Sequence, residues 1–231
     1  MPRVLELFSG TGSIGRAFEK LGWTITSLDK NPKFDATHIA DILEWDHTMY
    51  PSTHFDFVWC SPCCTQYSIA RTCGPPRELL SADRLVGRAL DIITYFFCNW
   101  AMENPQSGLL KTRDIVKGLQ FFDTSYCRYG YSYRKATRVW SNLILCLRKP
   151  CSHKDPCTAM VGRRHPKTPQ QSRRSSDPSD RDNNCSTKQL YSIPPELCDE
   201  IADAAESNLR GNNAHQSAEA ALNTKCKTAR L

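Results

Sequence analysis

Over the first 143 residues, apolar runs of strand length alternate with amphipathic segments of helical period. The strand candidates include Arg3 to Phe8, Thr24 to Leu28 and Phe55 to Cys60, each bounded by polar or turn-forming residues. A helix candidate with one apolar face covers Ser81 to Cys98. This alternation predicts a single α/β domain over residues 1–143, with ligands at the carboxyl edge of its sheet.

The composition changes after residue 143. Residues 144–188 are rich in Pro, Ser, Arg, Asp and Asn, which predicts a region made mostly of loop. They hold ten Lys or Arg against four Asp or Glu, whereas the other 186 residues balance at twenty each, so the whole formal charge of +6 lies here. Such a stretch indicates contact with nucleic acid phosphate, although a solvated disordered loop has the same composition.

The remaining segment contains one more helix candidate. It covers residues 190–208, with Pro194 and Pro195 suited to its first turn, and we expect it to pack on the α/β domain. Residues 209–231 are polar and alanine-rich and are predicted to form a flexible tail.

Cysteine usage and hydropathy bear on the compartment. Twelve cysteines without a recognisable signal peptide indicate a reducing environment, in which thiols act as nucleophiles, metal ligands or core residues. No apolar run reaches the length that crosses a bilayer. We expect a soluble intracellular monomer, in the nucleus if the source is eukaryotic and in the cytoplasm if it is prokaryotic or viral.

A glycine loop follows the first strand candidate. Phe8, Ser9, Gly10, Thr11 and Gly12 join that strand to a helical segment, and glycine lets the backbone approach a ligand closely. The loop resembles the first motif of class I S-adenosylmethionine-dependent methyltransferases. The resemblance implies a Rossmann-like sheet with helices on both faces, and glycines beside the methionine part of the cofactor.

Two acidic residues extend this resemblance. Asp29 follows the second strand candidate, where a carboxylate can accept hydrogen bonds from ribose hydroxyls. Asp41 and Ile42 resemble the adenine-contacting segment of the family, while Asp41 taken alone is equally typical of a turn or helix cap.

Two thiols on a proline turn are the strongest chemical signal. Ser61, Pro62, Cys63 and Cys64 directly follow the third strand candidate, and Glu103 follows the long helix candidate and is predicted to reach the same sheet edge. Taken alone, adjacent cysteines are more often buried core residues. Together with the cofactor motif, however, these segments resemble the Pro-Cys and Glu-Asn-Pro motifs of DNA cytosine-5 methyltransferases, of the small kind met in phages, large DNA viruses and microbial eukaryotes.

The resemblance implies roles for these residues. Cys64 would be the nucleophile, Glu103 the acid facing it across a flipped cytosine, and Ser61 and Pro62 part of the cofactor pocket. Cys63 stands where the family has a second proline, and a register shifted by one residue would make Cys63 the nucleophile.

A basic segment resembles a third motif, whose arginines contact the base or the DNA backbone. Arg138 matches its last arginine and is assigned to the catalytic group, while Ala136 occupies the first arginine position. Arg134 or Lys135 would supply the missing charge and contact nucleic acid.

The basic region after residue 143 occupies the place of the family's target-recognition region. Arg163 and Arg164 within it are expected to contact nucleic acid, and residues 144–189 are expected to form a small loop-rich lobe. Four ligands from among its cysteines and histidines, Cys146, Cys151, His153, Cys157 and His165, could close a tetrahedral zinc site, and Cys146, Cys151, Cys157 and His165 are the expected set.

The sequence as a whole predicts transfer of a methyl group from S-adenosylmethionine to carbon 5 of cytosine in DNA. Two alternatives stay open: methylation of cytosine in tRNA, and a non-catalytic nucleic-acid-binding relative. Cys63, Ala136 and the small recognition lobe motivate the second of these.

Overall fold

The computed structural model describes residues 1–71, 74–167 and 190–228, with side chains to residue 211. A seven-stranded sheet with strand order β3-β2-β1-β4-β5-β7-β6 forms its centre. The first five strands are parallel, and β7 lies antiparallel between β5 and β6. The strands are β1 (Arg3–Leu7), β2 (Thr24–Asp29), β3 (His38–Ile39), β4 (Phe57–Cys60), β5 (Asn99–Pro105), β6 (Phe121–Ser125) and β7 (Ala136–Ser141).

Helices cover both faces of this sheet. They are α1 (Ser13–Lys20), α2 (Leu79–Phe96) and α3 (Pro195–Thr228). One apolar core joins α1 and α3 to one face, and a second core joins α2 to the other. Because both faces are covered, β4 is buried at all four of its residues and consists of a continuous apolar run. The α/β, Rossmann-like prediction is confirmed.

The last helix is longer than expected. It continues to Thr228, so the end predicted at residue 208 is too early. Alanine and other good helix formers after that point favour continued helix over a break. Most of the predicted recognition region, residues 168–189, lies outside the described residues. None of the described helices is both long enough and apolar enough to cross a membrane.

The loop after β4 is fixed by hydrogen bonds from three directions. Trp59 Nε1 donates to Ser61 Oγ at 2.8 Å, and the buried Asn104 Nδ2 donates to the carbonyl of Pro62 at 2.9 Å. The backbone N–H of Tyr67 donates to the carbonyl of Cys64 at 3.0 Å. The nucleophile candidates therefore lie on a turn that the neighbouring strand and the following residues hold in place.

Tyr67 anchors the far end of this loop. Its ring is fully buried, and its hydroxyl donates to Asp83 Oδ1 at 2.8 Å. Arg113 donates to both carboxylate oxygens of Asp83, which fixes this acceptor on α2. The loop is thereby connected to the helix on that face of the sheet.

We expect Tyr67→Phe to lower the free energy of unfolding by about 1 to 3 kcal/mol, because the variant loses the buried hydrogen bond from the Tyr67 hydroxyl to the charged Asp83 carboxylate, which keeps only Arg113 as its donor among the described residues. Urea denaturation followed by far-UV circular dichroism measures this difference. Tyr191→Phe is the matched control, since Tyr191 is exposed and its change should stay within about 0.5 kcal/mol. Equal effects of the two variants would show that the Tyr67 hydroxyl does not anchor the loop.

Candidate active site

The two cysteines after β4 point in different directions. Cys63 is exposed, with its thiol 3.2 Å from Thr65 Oγ1. Cys64 is more buried, and the charges of Lys135 and Glu103 both act on its thiol. Parallel pairing of Cys60 with Met102 brings Glu103, the next residue of β5, to the same sheet edge. Cys64 is the less exposed of the two thiols, and its role as nucleophile stays a prediction.

Glu103 has three partners around its carboxylate. Its side chain is 5% exposed, and Thr137 Oγ1 donates a short hydrogen bond to its Oε1. Tyr126 donates its hydroxyl to the same oxygen at 3.3 Å, and the Lys135 ammonium lies 3.6 Å away. Lys135 also donates to the Tyr126 hydroxyl at 3.1 Å and lies over its ring at 4.4 Å. Buried carboxylates need such compensation, and here it comes from β7 and the turn before it.

The protonation of Cys64 depends on its surroundings. Burial raises the pKa of the Cys64 thiol, and the nearby Glu103 carboxylate raises it further. The Lys135 ammonium acts in the opposite direction and lowers this pKa. Since the thiolate is the reactive form, Lys135 is the cation that favours nucleophilic attack by Cys64.

The Arg138 side chain does not lie with Cys64, Glu103 and Lys135. Side chains alternate between the two faces along β7, so Thr137 shares the face of Glu103 while Arg138 points to the other. There Arg138 donates to both Asp123 oxygens, at 2.7 and 2.8 Å, and stacks on Phe121 at 3.5 Å. This placement contradicts the catalytic position expected for Arg138, and Lys135 supplies the cation instead.

The glycine loop is held by the acid that ends β2. Gly10 N–H donates to Asp29 Oδ2 at 2.9 Å, and Asn31 N–H donates to Oδ1 at 2.8 Å. Phe8, Gly10 and Gly12 all have positive φ, at 56°, 50° and 66°, which turns the chain sharply before α1. Asp29 therefore shapes the loop as well as being available to a ligand.

A cavity of about 490 Å³ lies along this loop. Ser9, Gly10, Thr11 and Gly12 line it as expected, together with Glu6. The other cofactor candidates, Phe8, Asp29, Asp41, Ile42, Ser61 and Pro62, lie outside the cavity.

The structure gives Asp41 and Ile42 local roles. Asp41 Oδ1 accepts from Leu43 N–H at 3.0 Å, so its carboxylate caps a turn, the alternative that the sequence left open. Ile42 is buried in the core on the α2 side of the sheet.

Glu6 is a site residue that sequence reasoning missed. It is 2% exposed in β1, and its carboxylate accepts from the N–H groups of Ile14 and Gly15 at the start of α1, at 3.2 and 3.1 Å. Burial raises the pKa of Glu6 to about 7, although these two backbone donors oppose the rise. A charged residue inside an otherwise apolar central strand was the signal available in the sequence.

The cations expected to contact nucleic acid lie on neighbouring segments. Arg134, Arg163 and Arg164 are exposed, and a bridge pairs Tyr133 with Lys167. The hairpin of the appended region therefore lies beside the segment that leads to Lys135.

Comparison with known proteins connects this geometry to a family. No family model matches the chain. A relative from Frog virus 3 (isolate Goorha), named "Probable DNA (cytosine-5)-methyltransferase", is 30% identical over 218 residues, covering 87% of this chain and 99% of the relative. The chain belongs to the DNA (cytosine-5)-methyltransferase family.

Two solved methyltransferase structures are similar to part of this chain. The S. pombe Dnmt2 methyltransferase is 15% identical with a TM-score of 0.45, covering 61% of this chain and 49% of that one. The Entamoeba histolytica methyltransferase EhMeth is 15% identical with a TM-score of 0.46, and the match covers 68% of this chain and 58% of that one. The chain spans about half the length of these solved structures.

A Cys/His cluster of this methyltransferase-family chain includes Cys127, the residue after Tyr126. Its members are Cys127, Cys151, Cys157 and His165, whose ligand atoms all lie within 4.8 Å of one another. Cys146, expected from the sequence to be the fourth member, is exposed and outside the cluster. Cys127 takes its place because the turn after β6 folds back onto the appended loop, a contact that spacing along the chain does not reveal.

We expect Lys135→Gln to raise the pKa of Cys64 further and to slow its alkylation by iodoacetamide at pH 8 by roughly threefold to tenfold, because less thiolate is present. Peptide mass spectrometry measures the rate at Cys64, with the exposed Cys63 as internal reference. Arg134→Gln is the matched control and should leave the Cys64 rate unchanged. If both variants slowed the alkylation of Cys64 equally, the role of Lys135 would be contradicted.

We expect the free energy of unfolding to fall as the pH rises, because the buried Glu6 side chain becomes ionised. A carboxyl whose folded pKa of about 7 exceeds its unfolded value of about 4.5 stabilises the fold below pH 4.5, and this contribution is lost as the pH rises through 7. Glu6→Gln mimics the neutral form. The free energy of unfolding of the variant should exceed that of wild type by less than about 1 kcal/mol at pH 5 and by up to about 3 kcal/mol at pH 8.

Urea denaturation across that pH range measures the Glu6 effect. Glu19→Gln, which removes an exposed carboxylate from the same cavity wall, should follow the wild-type curve. Parallel curves for wild type and Glu6→Gln would contradict the prediction.

Proposed function

We propose that this chain transfers a methyl group from S-adenosylmethionine to carbon 5 of cytosine in DNA, through a covalent adduct with Cys64. The observation that carries the proposal is the placement of an inward thiol and a buried carboxylate around one ammonium group, Lys135, at the carboxyl edge of the sheet. Membership of the cytosine-5 methyltransferase family supports the same chemistry.

The chemistry requires these groups. Carbon 5 of cytosine is a weak nucleophile, so the Cys64 thiolate first adds to carbon 6 and converts the ring to an enamine. The electron pair released by this addition moves to ring nitrogen 3, which takes a proton from Glu103 acting as general acid, while Glu103 also accepts a hydrogen bond from the exocyclic amine. Carbon 5 then takes the methyl group, a base removes the carbon 5 proton, and the thiolate leaves.

Residues at the glycine loop fit the methyl donor. Its cavity combines the Ser9 and Thr11 hydroxyls with acidic groups at Glu6 and Asp35 and a cation at Arg16. A sulfonium-bearing amino acid carries two positive charges and one carboxylate, which match this set of groups. S-adenosylmethionine bound here would supply the methyl group.

The substrate is a base turned out of the DNA duplex, because a thiol below a protein surface cannot reach carbon 6 inside a base stack. Arg134, Arg163 and Arg164 are exposed and would contact phosphates. We propose a monomer that works in a reducing, intracellular compartment, since the nine cysteines of the described residues are free thiols and the mechanism needs Cys64 reduced.

We infer that the Cys/His cluster holds a zinc ion. Three thiols and one imidazole form a standard ligand set for structural zinc, and the donors come from three segments that would close around it. Cys157 Sγ and Cys151 Sγ lie 3.2 and 3.8 Å from His165 Nε2, close to the ~3.6 Å that sulfur and nitrogen ligands of tetrahedral zinc keep.

Covalent trapping tests the methyl transfer. Duplex DNA that carries 5-fluorocytosine should form a stable adduct with the protein in the presence of S-adenosylmethionine, because fluorine cannot be removed as a proton. Cys64→Ser should abolish the adduct and Cys63→Ser should retain it. Denaturing gel electrophoresis and peptide mapping measure both.

Three outcomes would overturn parts of this proposal. An adduct that depends on Cys63 would move the nucleophile by one residue. Adduct with fluorinated tRNA but not with DNA would assign the tRNA substrate. Cofactor binding without any adduct would show that the chain is a non-catalytic nucleic-acid-binding relative.

A further inference from the structure

The Cys/His cluster is built from segments that otherwise have little to hold them together. Its only surrounding core consists of Cys127, Cys151 and Cys157 themselves, with Ala159 and Met160 packed against them among the described residues. Part of the chain that buries so little apolar surface cannot order itself by the hydrophobic effect alone. A bound metal would supply the missing stabilisation.

The cluster also contacts the edge of the sheet directly. Cys127 lies in the turn that follows β6, one residue after Tyr126. Ser125 Oγ, at the end of β6, accepts from Cys151 N–H at 3.3 Å, and Arg128 donates to the carbonyl of Asp155 at 2.6 Å. Cys127 therefore directly follows the end of β6, between residues that hydrogen-bond the appended loop.

That stretch carries the partners of Glu103. The Tyr126 hydroxyl donates to Glu103, and Tyr126 N–H donates to the carbonyl of Lys135 at 3.0 Å. Lys135 in turn lies 3.6 Å from the carboxylate. Movement of Cys127 would pass through one peptide bond to Tyr126, and through the hydrogen bonds of Tyr126 to Glu103 and Lys135.

We propose that metal bound by Cys127, Cys151, Cys157 and His165 holds Tyr126 and Lys135 against Glu103, so that zinc occupancy controls adduct formation by Cys64. This inference rests on the zinc site and the covalent mechanism proposed above. Tyr126 and Lys135 act here as positioning residues, and loss of the metal switches the site off without removing a residue from it.

The strand order makes the effect selective. The glycine loop follows β1, and Asp29 ends β2, whereas β7 and β6 form the opposite edge of the sheet. Two strands, β4 and β5, separate these regions. Loss of the metal is therefore expected to leave cofactor binding intact, while Glu103 loses its contacts with Tyr126 and Lys135.

The experiment uses the full-length protein purified with zinc, the same protein after chelation, and the variants Cys127→Ser and Cys146→Ser. Cys146→Ser is the matched control, because that thiol is exposed and outside the cluster. Zinc content is measured by mass spectrometry. Amide hydrogen exchange is compared between residues 121–141 and residues 3–29, together with calorimetric S-adenosylmethionine affinity and the rate of adduct formation.

We expect one zinc per chain in wild type and in Cys146→Ser, and none in Cys127→Ser. Loss of zinc should speed exchange over residues 121–141 at least tenfold, leave residues 3–29 and cofactor affinity within twofold, and slow adduct formation at least tenfold. If the wild-type protein as purified contained no zinc and still showed slow amide hydrogen exchange over residues 121–141, the proposed metal site would be wrong. Zinc loss that leaves this exchange unchanged would overturn the coupling.

These readouts separate this inference from the proposed methyl transfer. Zinc content and exchange do not depend on activity. If wild type forms no adduct but zinc loss still speeds exchange over residues 121–141, the covalent mechanism fails and control of adduct formation fails with it, while the metal site and its contact with Tyr126 stand.

Discussion

The site depends on how the charge of one buried carboxylate is compensated. Glu103 lies at the end of a central strand with almost no access to water, and a carboxylate there is costly unless donors and a cation surround it. Thr137, Tyr126 and Lys135 meet that requirement from a single neighbouring segment. The antiparallel pairing of β7 with β5 is thus as much a part of the site as the acid itself. The same ammonium also favours the thiolate of Cys64, so two reacting groups share one source of positive charge.

The central part of the fold was predictable because its signals are local. A continuous apolar run identifies β4 as a buried strand, and a run interrupted by Glu6 identifies β1. The glycine loop between β1 and α1 is also visible in the sequence. The motif also identified Cys64 as the expected nucleophile, and in the structure Cys64 is the less exposed of the two thiols on the turn after β4.

Contacts that depend on long-range pairing were not predictable. Which residues of β7 meet Glu103 is decided by strand register, and a shift of one residue exchanges the two faces. The sequence motif therefore pointed to Arg138, while the pairing selects Thr137 and places Lys135 just before the strand. Cys127 was missed for a related reason: it lies 24 positions before Cys151 and reaches the cluster only because the β6–β7 connection folds back.

The pairing of Arg138 with Asp123 shows that a residue can match a sequence motif without placing its charge where the motif implies. The guanidinium that matches the family motif is fully engaged by Asp123 and Phe121 on the other side of the sheet. A residue with no counterpart in that motif occupies the position where positive charge is needed. Transferring roles to relatives of this chain by alignment alone would thus assign catalysis to a structural ion pair. The quantity to compare between such proteins is the location of a cation relative to the acid, which only a three-dimensional superposition provides.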